Sequence, residues 1–225
     1  MQPENLFDAT SALIVVGGTC LATVLRCGLG DTRAALEALF ALGTRRFDAA
    51  KLRAELAVHV RGMQKDGVIR TEPRFFGDAE LDEATDALIG TRSVAGLHQT
   101  HLQHKRERNK HSLRAVRTLT QAADLAPVFG LAGTLVSLSQ MPGGEGGGGN
   151  FTAAISMAVL TTLYGLLLGN LFFAPLARAV ARRASDEERA RQRVLDWLEK
   201  QVTEALPTAP TASVVRHKAV AGQAR

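Results

Sequence analysis

No lysine or arginine precedes Arg26, and none lies between Arg117 and Arg178. All 27 basic side chains are confined to residues 26–117 and 178–225. A soluble fold has no reason to segregate its cations so completely, whereas a membrane protein keeps them on one side. Three stretches also lack charge of either sign: Ser11–Leu25, Leu125–Met141 and Phe151–Ala177. A bilayer core of about 30 Å takes about 20 helical residues. The third stretch exceeds that length. The second reaches it from Gln121, with Asp124 at the interface, and the first uses Phe7 and Cys27 as boundary residues. Applied to the basic segments, the positive-inside rule sets the N-terminus outside and the C-terminus inside, an alternation that three spans satisfy.

Other absences narrow the function. The only two cysteines, Cys20 and Cys27, share one face of one helix, an arrangement unsuited to a bridge within the chain. They read as small apolar residues. No Ser-His-Asp or Cys-His set stands out, so an enzyme is not expected. The net +5 charge follows from the segregated cations, and no nucleic-acid reading module accompanies it. The glycine-rich segment Pro142–Asn150 lacks the Gly-Lys-Ser/Thr ending of a phosphate cradle, which leaves a linker. The N-terminus has no basic n-region, so its apolar run reads as a retained span and not a cleaved signal. His98, His101, His104 and His111 place pairs on one helix face, but no cysteine or second ligand segment joins them. An exposed polar helix is expected there, and no metal.

The expected fold is an all-α integral membrane protein with three transmembrane helices. A helical cytoplasmic domain lies between spans one and two, and long helices extend into the cytoplasm. In order, the segments are a periplasmic N-terminus (1–10), span one (11–27), the cytoplasmic domain (28–120) and span two (121–141). A periplasmic turn (142–150), span three (151–177), a cytoplasmic amphipathic helix (178–206) and a disordered tail (207–225) follow. Asp31 is placed to cap a helix ending near Leu42. Leu52, Leu56, Val60 and Met63 recur at helical spacing within Phe47–Lys65, and Asp66-Gly67 ends that helix. Thr71–Asp78 is a connector, Glu80–Ile89 a further helix, and Val94–Thr120 a polar helix entering the second span. Leu195, Leu198 and Val202 mark the apolar face of Arg182–Thr203. From Pro207 the Pro, Thr, Ala and Ser content predicts disorder.

Two stripes carry the interest. Pro127, Gly130, Gly133, Thr134, Ser137 and Gln140 recur at three- and four-residue spacing in the second span; Ala154, Ala158, Thr161, Thr162, Gly165 and Gly169 do so in the third. Small residues let membrane helices approach closely, and threonine hydroxyls bond across an interface or back to their own helix. For any one threonine, packing is the simpler reading. Three hydroxyls at similar mid-span depth point towards a polar path. Yet no span carries an ionisable residue at its middle, as an ion relay requires. Either no ion moves, or a partner helix supplies the carboxylate.

Ala126-Pro-Val-Phe-Gly-Leu-Ala-Gly-Thr-Leu135, Ile155-Ser-Met-Ala-Val-Leu-Thr-Thr-Leu-Tyr-Gly-Leu-Leu-Leu-Gly-Asn-Leu171 and Ala174-Pro-Leu-Ala177 resemble the MotA/PomA flagellar stator subunits and their relatives TolQ and ExbB. Phe7–Thr19 and Ala22–Leu25 resemble the second span of MotA-type proteins, and Lys65–Glu72 the start of their cytoplasmic domain. Two departures stand out. MotA-type proteins have four spans, while three is the TolQ and ExbB number; and Gln64 or Lys65 stands where an arginine is expected, although Glu72 aligns with the acidic position. The resemblance implies a bacterial inner-membrane homopentamer around a dimer of a MotB/TolR/ExbD-like single-span protein, whose Asp carries a proton or sodium ion. It needs no cofactor, only the transported H+ or Na+. Thr134, Thr161 and Thr162 then match positions on the ion path or in contact with the partner Asp, and Pro127 and Pro175 gating or helix-bend positions. By their small size, Gly130, Gly133, Ala158, Gly165 and Gly169 are helix-packing positions. Lys65 and Glu72 are candidate contacts for a cytoplasmic rotor or effector. Thr161 and Thr162 point about 100° apart, so one is expected to face the pore and the other a neighbour. A TolQ/ExbB-type envelope energiser is the alternative within the family, and a passive membrane scaffold whose stripes serve only to pack helices is the alternative outside it.

Overall fold

The computed structural model of the chain describes residues 8–44, 47–66, 78–91, 94–139 and 148–205. Every regular element among them is helical. Helix α1 spans Ala9–Cys27, α2 Leu29–Gly43, α3 Ala49–Asp66, α4 Ala79–Thr91, α5 Val94–Ser139 and α6 Gly148–Leu167. A π-helical turn, Leu168–Phe173, leads into α7, Ala174–Ala205. Among the described residues, three helical runs are long and apolar enough to cross a membrane: α1, part of α5, and the run that begins at Phe151.

The Asp8 carboxylate caps α1 by accepting from the Thr10 and Ser11 amides, two of the donors that a helix start leaves free. Its inward stripe is Ser11, Val15, Thr19 and Thr23, all buried. Leu13, Leu21 and Leu25 lie on the exposed side. Small polar residues inward and leucines outward is the pattern of a helix solvated by lipid. The buried hydroxyls are satisfied locally: Thr19 donates to the Val15 carbonyl at 2.6 Å and Thr23 to that of Thr19 at 2.7 Å.

Gly28 ends α1 with φ +83° and gives its N–H to the Val24 carbonyl, a conformation that favours glycine. Helix α2 starts at once, at Leu29. The cap expected at Asp31 is therefore not formed; no side chain caps α2 at Gly28. Asp31 instead sits inside the first turn, where a carboxylate complements the helix dipole, 3.8 Å from Arg114. Small side chains let α2, α5 and α7 pack together through Ala35, Ala115, Leu119, Ala177 and Val180. At the far end of α2, Arg183 donates to the Leu42 carbonyl at 2.9 Å and to that of Thr44 at 3.2 Å. Those are oxygens that the helix end cannot satisfy by itself.

The chain divides into two compact units. One holds α1, α2 and the stretch Leu102–Gln192, with all three apolar runs. The other holds Ala49–His101 and the chain from Arg193. It buries Leu52, Leu56 and Val60 of α3, Leu81, Ala84 and Leu88 of α4, Leu97 of α5, and Leu195, Leu198 and Val202 of α7. The three α7 residues are the ones that the spacing selects, as are the three of α3, whose fourth expected member, Met63, has a side chain outside those described. Arg53 lies over the Trp197 ring at 5.0 Å.

Two boundaries differ from expectation. Gly148–Asn150 belong to the first turn of α6 and not to a turn; Gln140 and residues 142–147 lie outside the described residues. The third apolar run and the amphipathic helix are continuous in sequence through the π turn, which accommodates Pro175 at the start of α7 without ending the helix. Gly67, the 71–77 connector and the tail from 207 also lie outside the described residues.

Candidate functional site

The second and third apolar runs meet along glycines. A Cβ on Gly130 would stand 2.9 Å from the Thr161 carbonyl oxygen, and one on Gly165 would stand 2.7 Å from that of Ala126. On Gly169 it would lie 2.6 Å from the Ala123 oxygen, and on Gly133 2.8 Å from the Thr161 Cβ. Backbone thus rests on backbone, which only glycine permits at this distance. Four of the five expected packing residues lie on this seam. Ala158, the fifth, is half-buried and lines an adjoining groove instead.

The seam sorts the threonines. Thr161 is completely buried, set over Gly133. The next residue is turned about 100° around the helix, and Thr162 is only half-buried. It lines an open groove of about 490 Å³ with Thr134, Leu138, Ile155, Ala158, Val159, Leu163 and Leu166. The hydroxyls of Thr134 and Thr162 are the only polar side-chain groups among those lining residues, and none of them is ionisable. The structure therefore brings Thr134 and Thr162 to one surface and puts Thr161 behind it. All three hydroxyls donate to their own helix: Thr134 to the Leu131 carbonyl at 2.6 Å, Thr161 and Thr162 to that of Ala158 at 2.9 and 3.2 Å. With its proton so committed, a hydroxyl keeps its lone pairs as acceptors. The groove can accept a hydrogen bond or solvate a cation, but it cannot ionise.

Both prolines disturb the backbone ladder of the helices that carry this groove. Pro127 lies inside α5 and has no N–H, so the Ala123 carbonyl loses its usual donor; that oxygen is the one packed on Gly169. Pro175 follows the π turn, which closes with the Ala174 N–H on the Gly169 carbonyl, five residues back. Widening one turn to this spacing is the usual accommodation where a helix ladder is broken.

The remaining candidates are placed as follows. Lys65 lies in the last turn of α3, and Glu72 lies outside the described residues. His111 pairs with Glu37 at 3.3 Å and His98 with Glu199 at 3.9 Å, while His101 is buried. Among the described residues, no three His, Cys, Asp or Glu side chains converge as a metal site would. Cys20 and Cys27 are free thiols. Two features escaped sequence reasoning. The buried hydroxyl stripe of α1 had a usable signal, since Ser11, Val15, Thr19 and Thr23 recur every fourth residue. The π turn had only Pro175 to announce it.

Three apolar helical runs, two of them locked by glycine and open on a hydroxyl-lined, charge-free side, define an integral membrane protein of the helix-bundle class. Residues 78–193 match the MotA/TolQ/ExbB proton channel family, and the chain belongs to that family. It is 28% identical over 197 residues to motility protein A of Cereibacter sphaeroides, covering 85% of this chain and 76% of that one. To the chemotaxis protein PomA of Vibrio alginolyticus it is 25% identical over 190 residues, covering 84% and 75%. The fold is similar to that of a chain of the flagellar MotAB stator complex from Bacillus subtilis, with a TM-score of 0.78 over 88% of this chain and 79% of that one at 18% identity.

Proposed function

We propose that this chain is the ring-forming subunit of a flagellar-type stator in the bacterial inner membrane. It couples the flow of protons or sodium ions past a carboxylate on a partner chain to rotation. The single observation that carries the reading is the placing of Thr134 and Thr162, with no ionisable neighbour, on one open groove of the glycine-locked spans. A conducting subunit whose own spans hold no charge needs the carrier to come from elsewhere. The names motility protein A and PomA among its relatives favour the flagellar branch over an envelope energiser. In this reading five copies surround two single-span partner helices, each with an Asp, and the N-terminus faces the periplasm. Thr134 and Thr162 accept from the protonated Asp, or share a sodium ion with it, as it passes each subunit. Thr161 holds the wall behind them.

The test is to co-express the chain with the neighbouring single-span protein and measure proton and sodium flux in vesicles. Flux that survives Thr134→Ala with Thr162→Val sinks the proposed path. A monomer in native mass spectrometry overturns the ring.

A further inference from the structure

The groove's lining ends at Leu166. Asn170 follows Thr162 and Leu166 at four-residue spacing, hence on the same side of the helix, and it is exposed. A primary amide on the outward side of an apolar run is costly against hydrocarbon, because its donors and acceptors lose water. One Asn170 Nδ2 hydrogen goes to the Leu166 carbonyl at 3.1 Å; that bond leaves Oδ1 as an acceptor. The main chain at this residue is altered as well. The next turn offers two donors to the Asn170 carbonyl, from residues 174 and 175. The Ala174 N–H is committed to Gly169, and Pro175 has none. A side-chain oxygen and a main-chain oxygen thus coincide at one residue, at a level where neither the helix nor lipid satisfies them.

We propose that Asn170, with its own carbonyl, forms a second oxygen station of the ion path, about 12 Å along the helix from Thr162 at 1.5 Å per residue. The proposal rests on the reading of Thr134 and Thr162 as ion-path residues. Uncharged oxygens replace part of an ion's hydration shell without trapping it, as a release point requires. Asn170 is on the side of Thr162 that leads into the basic, cytoplasmic end of the helix, so the station serves exit. Pro175 contributes by bringing no N–H to this turn, whose carbonyls at residues 170 and 171 are the ones a donor there would reach.

The experiment uses the full chain assembled with its single-span partner in liposomes, with a sodium gradient in one arm and a pH gradient in the other. Asn170→Leu is expected to lower the maximal flux of the conducted ion about tenfold, the scale of one lost hydrogen bond to a charged group. The half-saturating ion concentration on the entry side should stay unchanged, because the threonines are intact. Asn170→Gln should recover most of the flux. Asn170→Ala carries the same expectation as the leucine variant if the latter fails to assemble by native mass spectrometry. Wild-type flux in both variants, or a shifted half-saturation at unchanged maximum, overturns the station. Pro175→Ala should lower flux with the amide present, and normal flux there removes the main-chain carbonyl from the proposal. The threonine double variant, run in parallel, separates the two readings. If it conducts normally, the path itself fails; if it is blocked while Asn170→Leu conducts normally, only the station fails.

Discussion

Replacing Gly165 by alanine tests the glycine seam most directly. The added methyl would lie 2.7 Å from the Ala126 carbonyl oxygen and 2.9 Å from the Gly130 Cα. Ordinary carbon contacts begin near 3.5 Å, so the two helices must part by roughly half an ångström to one ångström. Both obstacles are backbone and have no rotamer to change. Overpacking of this kind costs about 1–3 kcal/mol, and the higher helix propensity of alanine returns about 1 kcal/mol. The expected net loss is therefore up to about 2 kcal/mol per chain, a fall of up to roughly 8 °C in melting temperature for a chain of this size, and about 1–3 kcal/mol relative to a glycine-to-alanine change that meets no obstacle. Gly17→Ala is the control, since nothing lies within 4 Å of the position; it should melt at or slightly above wild type. The assay is thermal unfolding of the detergent-solubilised complex, with ion flux measured beside it. Parting the helices also draws Thr134 from Thr162, so flux should fall further than stability. A Gly165→Ala protein as stable as Gly17→Ala would refute the backbone seam.

The other predictions concern single contacts. Thr161→Val removes a hydroxyl whose bond goes to its own helix, so stability should change by no more than about 1.5 kcal/mol and vesicle flux should stay near wild type, unlike Thr162→Val. Arg183→Ala removes the donors to the Leu42 and Thr44 carbonyls; faster amide exchange over 41–44, with no change across the spans, is the expected result. The Glu37 carboxyl is held below its ordinary value of 4.5, first by the Arg33 hydrogen bond and less by that of His111. A lowered carboxylate stabilises the fold above its unfolded value and loses that effect as pH falls through the folded one. The protection of α2 amides relative to their intrinsic exchange rate should therefore fall below pH 4.5 in the wild type and change less in Glu37→Gln, an effect that salt weakens at this exposed site.

Much of this molecule is written in local composition. Three uncharged runs that reach a bilayer's width with their boundary residues, and cations confined to the segments after the first run and after the third, need no tertiary information, because lipid and water sort residues one segment at a time. Helix interiors at Leu52, Leu56 and Val60, or at Leu195, Leu198 and Val202, follow from spacing for the same reason. The start of α2 did not, since whether Asp31 caps a helix depends on what Gly28 does just before it. Nor did the π turn, which arises where Pro175 meets a helix that continues through it.

At the candidate site the division is sharper. Sequence alone determined that Thr134, Thr161 and Thr162 share a depth, that the spans hold no carrier charge, and that small residues form stripes. Two adjacent threonines were bound to point different ways, but nothing in the chain's order says which way is out. Tertiary structure decided that by setting Gly133 against Thr161, which leaves Thr162 beside Thr134 on the open groove. The physical reason is that a side chain's surroundings are set by the helix it meets, and glycine decides how closely the two helices meet.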